Sequence, residues 1–499
     1  MLNKSYCTIE EKHYIMVRFF SNLSIQSIIM LAVPGFLLAS GCSMNASQPP
    51  QPPNFVVVFC DDMGYADIEP FGHPTIATPN LSEIAEEGQK WTSFYVGAPV
   101  CTPSRAALLT GRLPIRSGMV SDNRRVLFPD SEGGLPTSEI TIAEMLKDGG
   151  YTSACIGKWH LGHLPEFLPT NQGFDRYYGI PYSNDMDRPE GVNHRESIVN
   201  PKMSYFQVPL ISGTEEIERP ADQTTITKRY TEEALQFIEE SQNEPFFLYL
   251  AHSMPHVPLF TTPEFEGVSR RGVYGDVIEE IDWSVGQVVD RLKALDLEEN
   301  TLVVFTSDNG PWLVFDELGG SAGLLRGGKG GTFEGGMRVP GIFWWPGTIE
   351  PGIVREPGAT MDLMPTFAEL AGVDVPDDRL LDGYDISPVL LESGENPRDE
   401  MIYYRGTRVF AIRKGSFKAH FITQPEYGRN RDVLTPHDPP LLYNLDVDPG
   451  EQYNVADQYP EVVEEMKALK KAHEETVEPV VNQLERRNEE EEDYQDKSI

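Results

Sequence analysis

Residues 55–62 read Phe-Val-Val-Val-Phe-Cys-Asp-Asp, an unbroken apolar run that ends in two carboxylates. A continuous run of β-branched and aromatic residues is typical of a strand that is buried on both faces of a parallel sheet. Segments of the same character recur at residues 153–156, 246–251 and 302–306. Helical spacing of apolar residues lies between them, at residues 137–149, 231–241 and 277–295. This alternation predicts an α/β fold in which a large, mixed, mostly parallel sheet is sandwiched by helices.

A smaller unit follows the predicted sheet. The composition shifts at residues 392–400, strand-like segments then occupy 401–423 and 441–445, and helical spacing covers 459–476. We therefore expect a C-terminal α+β subdomain that contains an antiparallel sheet. The predicted organisation is a leader with a lipoprotein signal at 1–42, a Pro-rich tether at 43–53, a catalytic domain at 54–395, the C-terminal subdomain at 396–480 and an acidic disordered tail at 481–499.

The overall composition excludes several classes of protein. The chain has 499 residues, of which 40% are hydrophobic and 24% charged, as is ordinary for a soluble globular protein. Asp and Glu outnumber Lys and Arg by 77 to 41, and the formal net charge of −36 argues against a nucleic-acid-binding protein, which needs a basic surface. With only five cysteines, the chain is not built on a disulfide framework.

The N-terminal residues look like an export signal. An apolar stretch at residues 25–38 leads into Leu-Ala-Ser-Gly-Cys at 38–42, which resembles a bacterial lipoprotein signal. The resemblance implies lipidation of Cys42 and an exported, membrane-anchored protein in the periplasm or on the cell surface. A plain cleaved signal or a membrane helix is the alternative, although the stretch is short for a spanning helix. Met1 and Met16 both remain candidate starts.

Polar side chains follow each of the four apolar runs. They are Asp61 and Asp62 after the first run, Lys158 and His160 after the second, His256 after the third, and Asp308 and Asn309 after the fourth. Any one of them alone is commonly a turn, a helix cap or a surface charge. In open α/β sheets, however, ligands bind outside the carboxyl ends of the strands. The recurrence at one sheet edge therefore indicates a functional site.

Four of these side chains offer only oxygen as a metal ligand, namely Asp61, Asp62, Asp308 and Asn309. Such a set suits Ca²⁺ or Mg²⁺ rather than zinc, which draws on histidine or thiolate. Calcium tolerates irregular geometry and is available outside the cytoplasm. We therefore expect Ca²⁺, with Mg²⁺ as the alternative.

Residues 101–111, Cys-Thr-Pro-Ser-Arg-Ala-Ala-Leu-Leu-Thr-Gly, carry the strongest signal. Pro103 can open a helix because its missing N–H would be unpaired there, and Gly111 can end it. Cys101 is then at a helix N-terminus, where free amides and the positive end of the helix dipole attract anions. Arg105, one turn into this helix, can point back toward the same place.

The same residues resemble the signature C-x-P-S-R-x-x-x-x-T-G of the type I, formylglycine-dependent sulfatases of the alkaline-phosphatase-like superfamily. Residues 150–160 resemble the second signature of that family, and residues 325–340 are similar to its loop that bears a third cation. Residues 179–183 look like the arylsulfatase A and N-acetylgalactosamine-6-sulfatase branch. The resemblance is close over about residues 54–340 and extends in layout to about residue 476.

The resemblance implies how the site would react. Cys101 would be oxidised by a separate maturation enzyme to Cα-formylglycine (3-oxoalanine), whose hydrate attacks sulfur. Asp61, Asp62, Asp308 and Asn309 would hold Ca²⁺, which would also bind this hydrate at position 101. The metal would lower the pKa of the hydrate and neutralise charge on the sulfuryl group.

The other matching residues would act on the aldehyde or on the substrate. Arg105 would stabilise the hydrated aldehyde, and Lys158 and Lys329 would clamp sulfate oxygens. His160 would accept a proton to expel sulfate. His256, alone or with Lys329, would protonate the leaving alcohol, and Ser183 would contact the substrate.

The sequence thus predicts an enzyme that removes sulfate from a sulfated carbohydrate, such as an algal or host polysaccharide. Its partners would be this substrate, the maturation enzyme and a membrane. A phosphodiesterase or phosphonate hydrolase built on the same metal corner is one alternative, although the single cluster of metal ligands favours sulfate. The other alternative is an inactive glycan-binding lipoprotein, against which the intact set of reactive residues argues.

Overall fold

A computed structural model of the protein describes residues 52–428 and 433–487. The predicted leader, the lipidation site at Cys42 and nearly all of the tether lie outside the described residues, as does most of the acidic tail. No helix within the described ranges has the length and apolar character needed to span a membrane.

The central element is a large sheet. Its strands are β1 (Asn54–Cys60), β2 (Gln89–Tyr95), β3 (Thr152–Gly157), β4 (Arg176–Gly179), β5 (Leu210–Ser212), β6 (Glu215–Glu218), β7 (Phe246–Ala251), β8 (Thr301–Ser307), β9 (Arg338–Trp344), β10 (Gly352–Val354) and β11 (Gly358–Ala359). The strand order is β10-β2-β9-β8-β1-β7-β3-β4-β5-β6, with β11 paired to β2. Strands β8, β1, β7, β3 and β4 run parallel, whereas β9, β5 and β6 join antiparallel. The predicted mixed, mostly parallel sheet is confirmed.

The parallel register aligns the strand ends that carry the polar residues. Phe55 of β1 pairs with Phe247 of β7 and with Leu302 of β8, and Cys60 at the end of β1 pairs with Ser307 at the end of β8. Asp61 and Asp308 are the next residues along these two strands. The register therefore brings their side chains to one edge of the sheet.

Helices cover both faces of this sheet. The α-helices of the described residues are α1 (Pro79–Glu87), α2 (Cys101–Thr110), α3 (Ile142–Lys147), α4 (His194–Val199), α5 (Ile226–Glu240), α6 (Val273–Ala294), α7 (Glu334–Met337), α8 (Leu363–Ala371), α9 (Ser387–Leu390) and α10 (Pro460–Glu474). Of these, α10 packs on the C-terminal sheet instead. In β1, Phe55, Val57 and Phe59 belong to one apolar core, and Val56 and Val58 belong to another on the opposite face. This double burial explains why the run lacks polar alternation.

The C-terminal sheet is antiparallel, as predicted. Its strands are β12 (Glu400–Arg405), β13 (Arg408–Lys414), β14 (Phe417–Thr423) and β15 (Thr435–Asn444), paired in that order. Helix α10 packs on this sheet through the buried side chains of Val463 and Met466. These apolar contacts stabilise the small sheet on the face that α10 covers.

The structure departs from the expectations in two segments. The helix expected over 137–149 is confined to Ile142–Lys147, because Thr141 forms a capping box with Glu144 and starts the helix there. Residues 481–487, assigned above to the start of the tail, pack against the body of the protein. Leu484 is buried, and Gln483 N donates to Gly118 O at 2.9 Å.

Candidate active site

The ends of β1 and β8 deliver four buried polar side chains. Asp61 and Asp62 follow β1, and Asp308 and Asn309 follow β8. Asp62 has φ 65°, and its backbone N–H donates to Asp308 Oδ1 at 3.1 Å. This left-handed turn joins the two strand ends, and a short polar residue adopts it at lower cost than a branched one.

Helix α2 brings the cysteine to the same corner. Cys101 is its first residue, and the helix ends at Gly111, which has φ 65°. Cys101 Sγ lies 3.3 Å from Asp61 Oδ1. One turn later, Arg105 donates from Nε and Nη2 to Asp308 Oδ2 at 3.1 and 2.8 Å, and from Nη1 to the Lys158 carbonyl at 2.9 Å. Arg105 therefore fixes Asp308 and ties α2 to the end of β3.

Two lysines neutralise the other two carboxylates. Lys158 Nζ lies 2.5 Å from Asp61 Oδ2 and 3.2 Å from Ser183 Oγ. Lys329 Nζ lies 2.7 Å from Asp62 Oδ1 and 2.8 Å from Asp62 Oδ2. With Arg105 on Asp308, each of the three buried carboxylates has its own cation, which offsets the cost of desolvating them.

The oxygen-rich corner fits a divalent cation. Ligand atoms of Asp61, Asp62, Cys101 and Asp308 lie within 4.8 Å of one another. Asn309 Nδ2 donates to Asp62 Oδ1 at 2.7 Å, whereas its buried Oδ1 has no hydrogen-bond partner among the described residues. Burial and the adjacent Asp61 carboxylate raise the pKa of Asp308 to about 7. The unpaired amide oxygen of Asn309 would coordinate a divalent cation, and the charge of this cation would offset the repulsion between the carboxylates.

Two histidines beside this corner have defined hydrogen bonds. His160 Nε2 lies 3.0 Å from the Leu127 carbonyl, so Nε2 carries the proton, and Nδ1 has no partner among the described residues. His256 Nδ1 lies 3.0 Å from Asn184 Oδ1 and 2.6 Å from the Val257 carbonyl, so this nitrogen donates.

Both imidazoles are held toward the neutral form. Burial lowers the pKa of His160 well below its ordinary value, and the positive charge of Lys158 adds to this shift. Burial and the charge of Lys329 also lower the pKa of His256, against the opposing effect of Asp62. His256 Nε2 lies 3.6 Å from Asp62 Oδ2 and 3.4 Å from Ser183 Oγ, and it is the nitrogen left for a substrate.

These residues meet at a narrow cavity that opens to solvent; the empty space around the lining atoms, open solvent included, amounts to about 430 Å³. Its walls contain Cys101, Arg125, Val126, Phe128, His160, Ser183, Asp185, Met186, Arg188, His256, Trp312 and Lys329. Five of the expected residues therefore line the cavity, whereas Arg105 and Lys158 are fully buried behind it. The sequence analysis did not predict Asp185 or Trp312. Asp185 follows β4 and Trp312 follows β8, so both lie beyond the carboxyl ends of strands, where ligands bind in open α/β sheets.

Comparisons with known proteins agree with this geometry. The "Sulfatase" family model matches residues 53–373, and the model of the "C-terminal region of aryl-sulfatase" matches residues 396–497. The chain is 43% identical to human arylsulfatase A over 472 residues, covering 88% of this chain and 90% of that protein. It is 40% identical to the N-acetylgalactosamine-6-sulfatase of the dog over 484 residues, covering 90% and 91% of the two chains.

A solved structure extends the likeness to three dimensions. The crystal structure of Ps i-CgsB in complex with k-i-k-neocarrahexaose superposes with a TM-score of 0.71 at 31% identity, covering 85% of this chain and 93% of that one. The oxygen-rich corner and the C-terminal sheet lie within the regions that the two family models match. The chain belongs to the sulfatase family.

Proposed function

We propose that this sulfatase cleaves sulfate esters of a carbohydrate, using a Cα-formylglycine made from Cys101 by a separate maturation enzyme, and Ca²⁺ held by Asp61, Asp62, Asp308 and Asn309. The observation that carries the proposal is the position of Cys101. Its Sγ faces the acidic corner, 3.3 Å from Asp61, while the residue also lines the cavity with both histidines.

The hydrated aldehyde would supply a nucleophilic hydroxyl, and the bound cation would lower the pKa of that hydroxyl and neutralise charge on the sulfuryl group. Arg105 holds Asp308 in place through two hydrogen bonds and thereby orients one ligand of the cation. Lys329, on the cavity wall, binds sulfate oxygens in this proposal. Lys158 holds Asp61 and Ser183 from behind, so its effect on the sulfate group passes through these two residues.

The two histidines divide the proton transfers between them. His160 is the base, because Nε2–H is bound to the Leu127 carbonyl and Nδ1 keeps its lone pair. His256 is the acid, since Nδ1–H is bound to Asn184 and Nε2 is the position from which a proton reaches the leaving oxygen. The negative sulfate group favours the protonated form of His256 and offsets the depression of its pKa by Lys329.

Carbohydrate is the substrate class that the relatives favour. One relative is named for N-acetylgalactosamine 6-sulfate, and the solved structure above binds a neocarrahexaose. The net charge of −36 repels anions at long range, so a sulfated sugar must be recognised by cations in the cavity.

The test compares two ester classes under metal control. Aldehyde-bearing protein should hydrolyse 4-nitrophenyl sulfate faster than bis(4-nitrophenyl) phosphate, and exhaustive chelation should abolish the reaction until Ca²⁺ is restored. Mg²⁺ added to the same chelated protein is the matched control for metal identity. A faster reaction with the phosphodiester would favour the phosphodiesterase alternative, and full activity without metal would refute the metal site.

We also propose that the protein is an exported lipoprotein anchored through Cys42. The support is the short apolar stretch and the small residues that precede Cys42 in the sequence. Cys42→Ala should release the protein from the membrane fraction while the activity per molecule stays the same, because the folded body begins after the tether. Unchanged membrane attachment of this variant would refute the anchor.

A further inference from the structure

Besides His160 Nδ1, two buried polar atoms on the cavity wall have no hydrogen-bond partner among the described residues. They are Asp185 Oδ1 and Trp312 Nε1. Asp185 is 6% exposed and Trp312 is 2% exposed, and both line the cavity with Cys101, His256 and Lys329. A buried carboxylate oxygen without a donor and a buried indole N–H without an acceptor are each costly. A ligand that both donates and accepts hydrogen bonds would satisfy them.

The surroundings of Asp185 leave only one of its oxygens for a ligand. His194 Nε2 lies 3.3 Å from Asp185 Oδ2, and Arg188 Nη1 donates to the Asp185 backbone carbonyl at 2.9 Å. Burial alone would raise the pKa of Asp185, but the hydrogen bond from His194 and the positive charge of Arg188 bring it well below its ordinary value. Asp185 is therefore an ionised group that accepts hydrogen bonds and donates none.

Trp312 is fixed beside the proposed acid. The centroid of its ring lies 5.4 Å from that of His256, and Lys329 Nζ lies 4.4 Å from its centroid. Phe315 packs edge-on against it, with centroids 4.9 Å apart. Trp312 thus lies beside both the proposed sulfate-binding Lys329 and the proposed acid His256, where the leaving alcohol adjoins the sulfate group.

We propose that Asp185 and Trp312 form a subsite for a neutral, hydroxyl-bearing sugar ring in the leaving group. Hydroxyl groups of this ring donate to Asp185 Oδ1 and accept from Trp312 Nε1. This inference rests on the proposed function and specifies its substrate. A carboxylate or second sulfate group at this subsite would meet the negative charge of Asp185, and an unsubstituted aromatic leaving group has no hydrogen to donate to it.

The test measures kcat/KM of the full-length, aldehyde-bearing protein on monosulfated galactose, glucose and N-acetylgalactosamine, and on 4-nitrophenyl sulfate. Deoxy analogues of the best sugar are then compared. Asp185→Asn keeps the shape but presents an amide, and should lower kcat/KM on the sugar sulfate about 10- to 100-fold. Trp312→Phe keeps an aromatic ring without the N–H and should cost about 2- to 10-fold.

The deoxy analogues separate direct contact from an effect through His256. Removing the hydroxyl that binds Asp185 should reduce kcat/KM of the wild type by a factor similar to that of Asp185→Asn, and should reduce the variant little further. Asp175→Asn is the matched control, because Asp175 precedes β4 at the opposite end of the strand, and it should behave as the wild type. Thermal unfolding of each variant establishes that it is folded.

Three results would overturn the subsite or its basis. If every deoxy analogue loses the same factor in wild type and Asp185→Asn, and the alkaline limb of the pH profile moves, Asp185 acts through His256. If the protein cleaves 4-nitrophenyl sulfate but none of the neutral sugar sulfates, the subsite is wrong while the sulfatase chemistry stands. If aldehyde-bearing protein cleaves neither, the proposed function itself fails and the subsite fails with it.

Discussion

Two of the buried charge clusters in the described part of the chain differ in whether their surroundings leave hydrogen-bonding atoms unpaired beside a cavity. The site cluster contains Asp61, Asp62, Cys101, Arg105, Lys158, Asp308, Asn309 and Lys329. The interface cluster lies between α7 and the C-terminal sheet and contains Tyr95, Glu334, Arg413, Lys418, His420 and Glu451. Both clusters are buried and both pair carboxylates with cations.

In the interface cluster the protein itself supplies a donor to every carboxylate oxygen. Glu334 Oε1 accepts from Lys418 at 2.8 Å, and Glu334 Oε2 accepts from Tyr95 at 2.6 Å. Glu451 Oε1 lies 2.6 Å from His420 Nε2, and Glu451 Oε2 accepts from the Glu334 backbone N–H at 2.6 Å. His420 Nδ1 has no partner among the described residues, but it does not face the cavity described above. The fully paired carboxylates tie the small sheet to α7.

The site cluster differs because it leaves capacity beside a cavity. Within the cluster, Asn309 Oδ1 has no partner among the described residues. Beside the cluster, His160 Nδ1, Asp185 Oδ1 and Trp312 Nε1 also have none, and these three residues line the cavity. Burial of charge is therefore a poor indicator of a reaction site in this fold. Unmatched polar atoms next to a cavity indicate it better.

The largest expected contrast comes from removing one carboxylate charge in each cluster. Asp308→Asn should lower turnover of 4-nitrophenyl sulfate by about 10³-fold, because a ligand charge for the cation is lost. Its thermal midpoint should fall less than that of Glu334→Gln, because the change relieves repulsion from Asp61 and Arg105 keeps the Lys158 carbonyl at 2.9 Å and Asp61 at 3.7 Å as partners. Turnover, bound metal and thermal unfolding are the measurements.

Glu334→Gln is the matched variant in the interface cluster and should show the opposite pattern. We expect a loss of about 3 kcal/mol in the free energy of unfolding, because the buried Lys418 loses one of its two carboxylate partners and keeps only Glu451, at 3.1 Å. Turnover per folded molecule should stay within a few-fold of the wild type. Similar losses of turnover in both variants would break the distinction between the two clusters.

The next prediction distinguishes a residue that acts on the leaving alcohol from one that acts on the sulfate group. His256→Ala should lower kcat/KM on a sugar sulfate about 10²-fold or more, because an alkoxide leaves poorly without a proton. The loss on 4-nitrophenyl sulfate should be much smaller, since nitrophenolate leaves as an anion. The kinetic constants must be measured under conditions in which S–O cleavage is rate-limiting for both substrates.

Lys158→Ala is the control for that experiment. This substitution disturbs Asp61 and Ser183, which lie on the sulfate side of the proposed site. Because the sulfate group is common to both substrates, the losses of kcat/KM on the two substrates should be comparable. Equal losses on both substrates for His256→Ala would show that it binds sulfate, and would move the acid role to Lys329.

The smallest effect is a pH dependence of stability in the interface cluster. Burial raises the pKa of Glu334, but Lys418 and Arg338 outweigh it and hold the pKa at about 2, below the ordinary 4.5. The folded-state pKa is depressed, so this stabilisation is complete above about pH 4.5 and is lost as the pH falls toward 2.

Denaturation of wild type and Glu334→Gln between pH 7 and 3 measures this contribution. The difference in unfolding free energy between them should be constant near neutrality and should shrink below pH 4.5. A difference that grows on acidification would contradict the assignment of Glu334 as an ionised partner of Lys418.

The sequence predicted the parts of this molecule that depend on local pattern. The continuous apolar runs identified β1, β3, β7 and β8, because a strand buried on both faces needs no polar residue. Strand β2 (Gln89–Tyr95) was missed, because its sequence Gln-Lys-Trp-Thr-Ser-Phe-Tyr contains four polar residues and does not form a continuous apolar run. Short strands such as β5 and β10 carry too few residues for a pattern.

In the candidate site, too, the residues that a local sequence pattern marks were predicted. Residues at the ends of recognised strands, such as Asp61 and Asp308, were predicted, and the resemblance to sulfatases supplied Cys101, Arg105 and Lys329. The interface cluster was not predicted, because Glu334 and Lys418 are 84 positions apart and no local pattern relates them. An unpartnered atom such as Asn309 Oδ1 is a property of three-dimensional packing, which a sequence does not display.

The most direct test of the account is the chemical state of residue 101. Preparations made with and without a maturation system would be digested, and the fraction of the Cys101 peptide that carries the aldehyde would be measured by mass spectrometry beside turnover of 4-nitrophenyl sulfate. Turnover should be proportional to the aldehyde fraction, and Cys101→Ala should give a folded protein without activity. Full activity in protein whose Cys101 is unmodified would contradict the central claim.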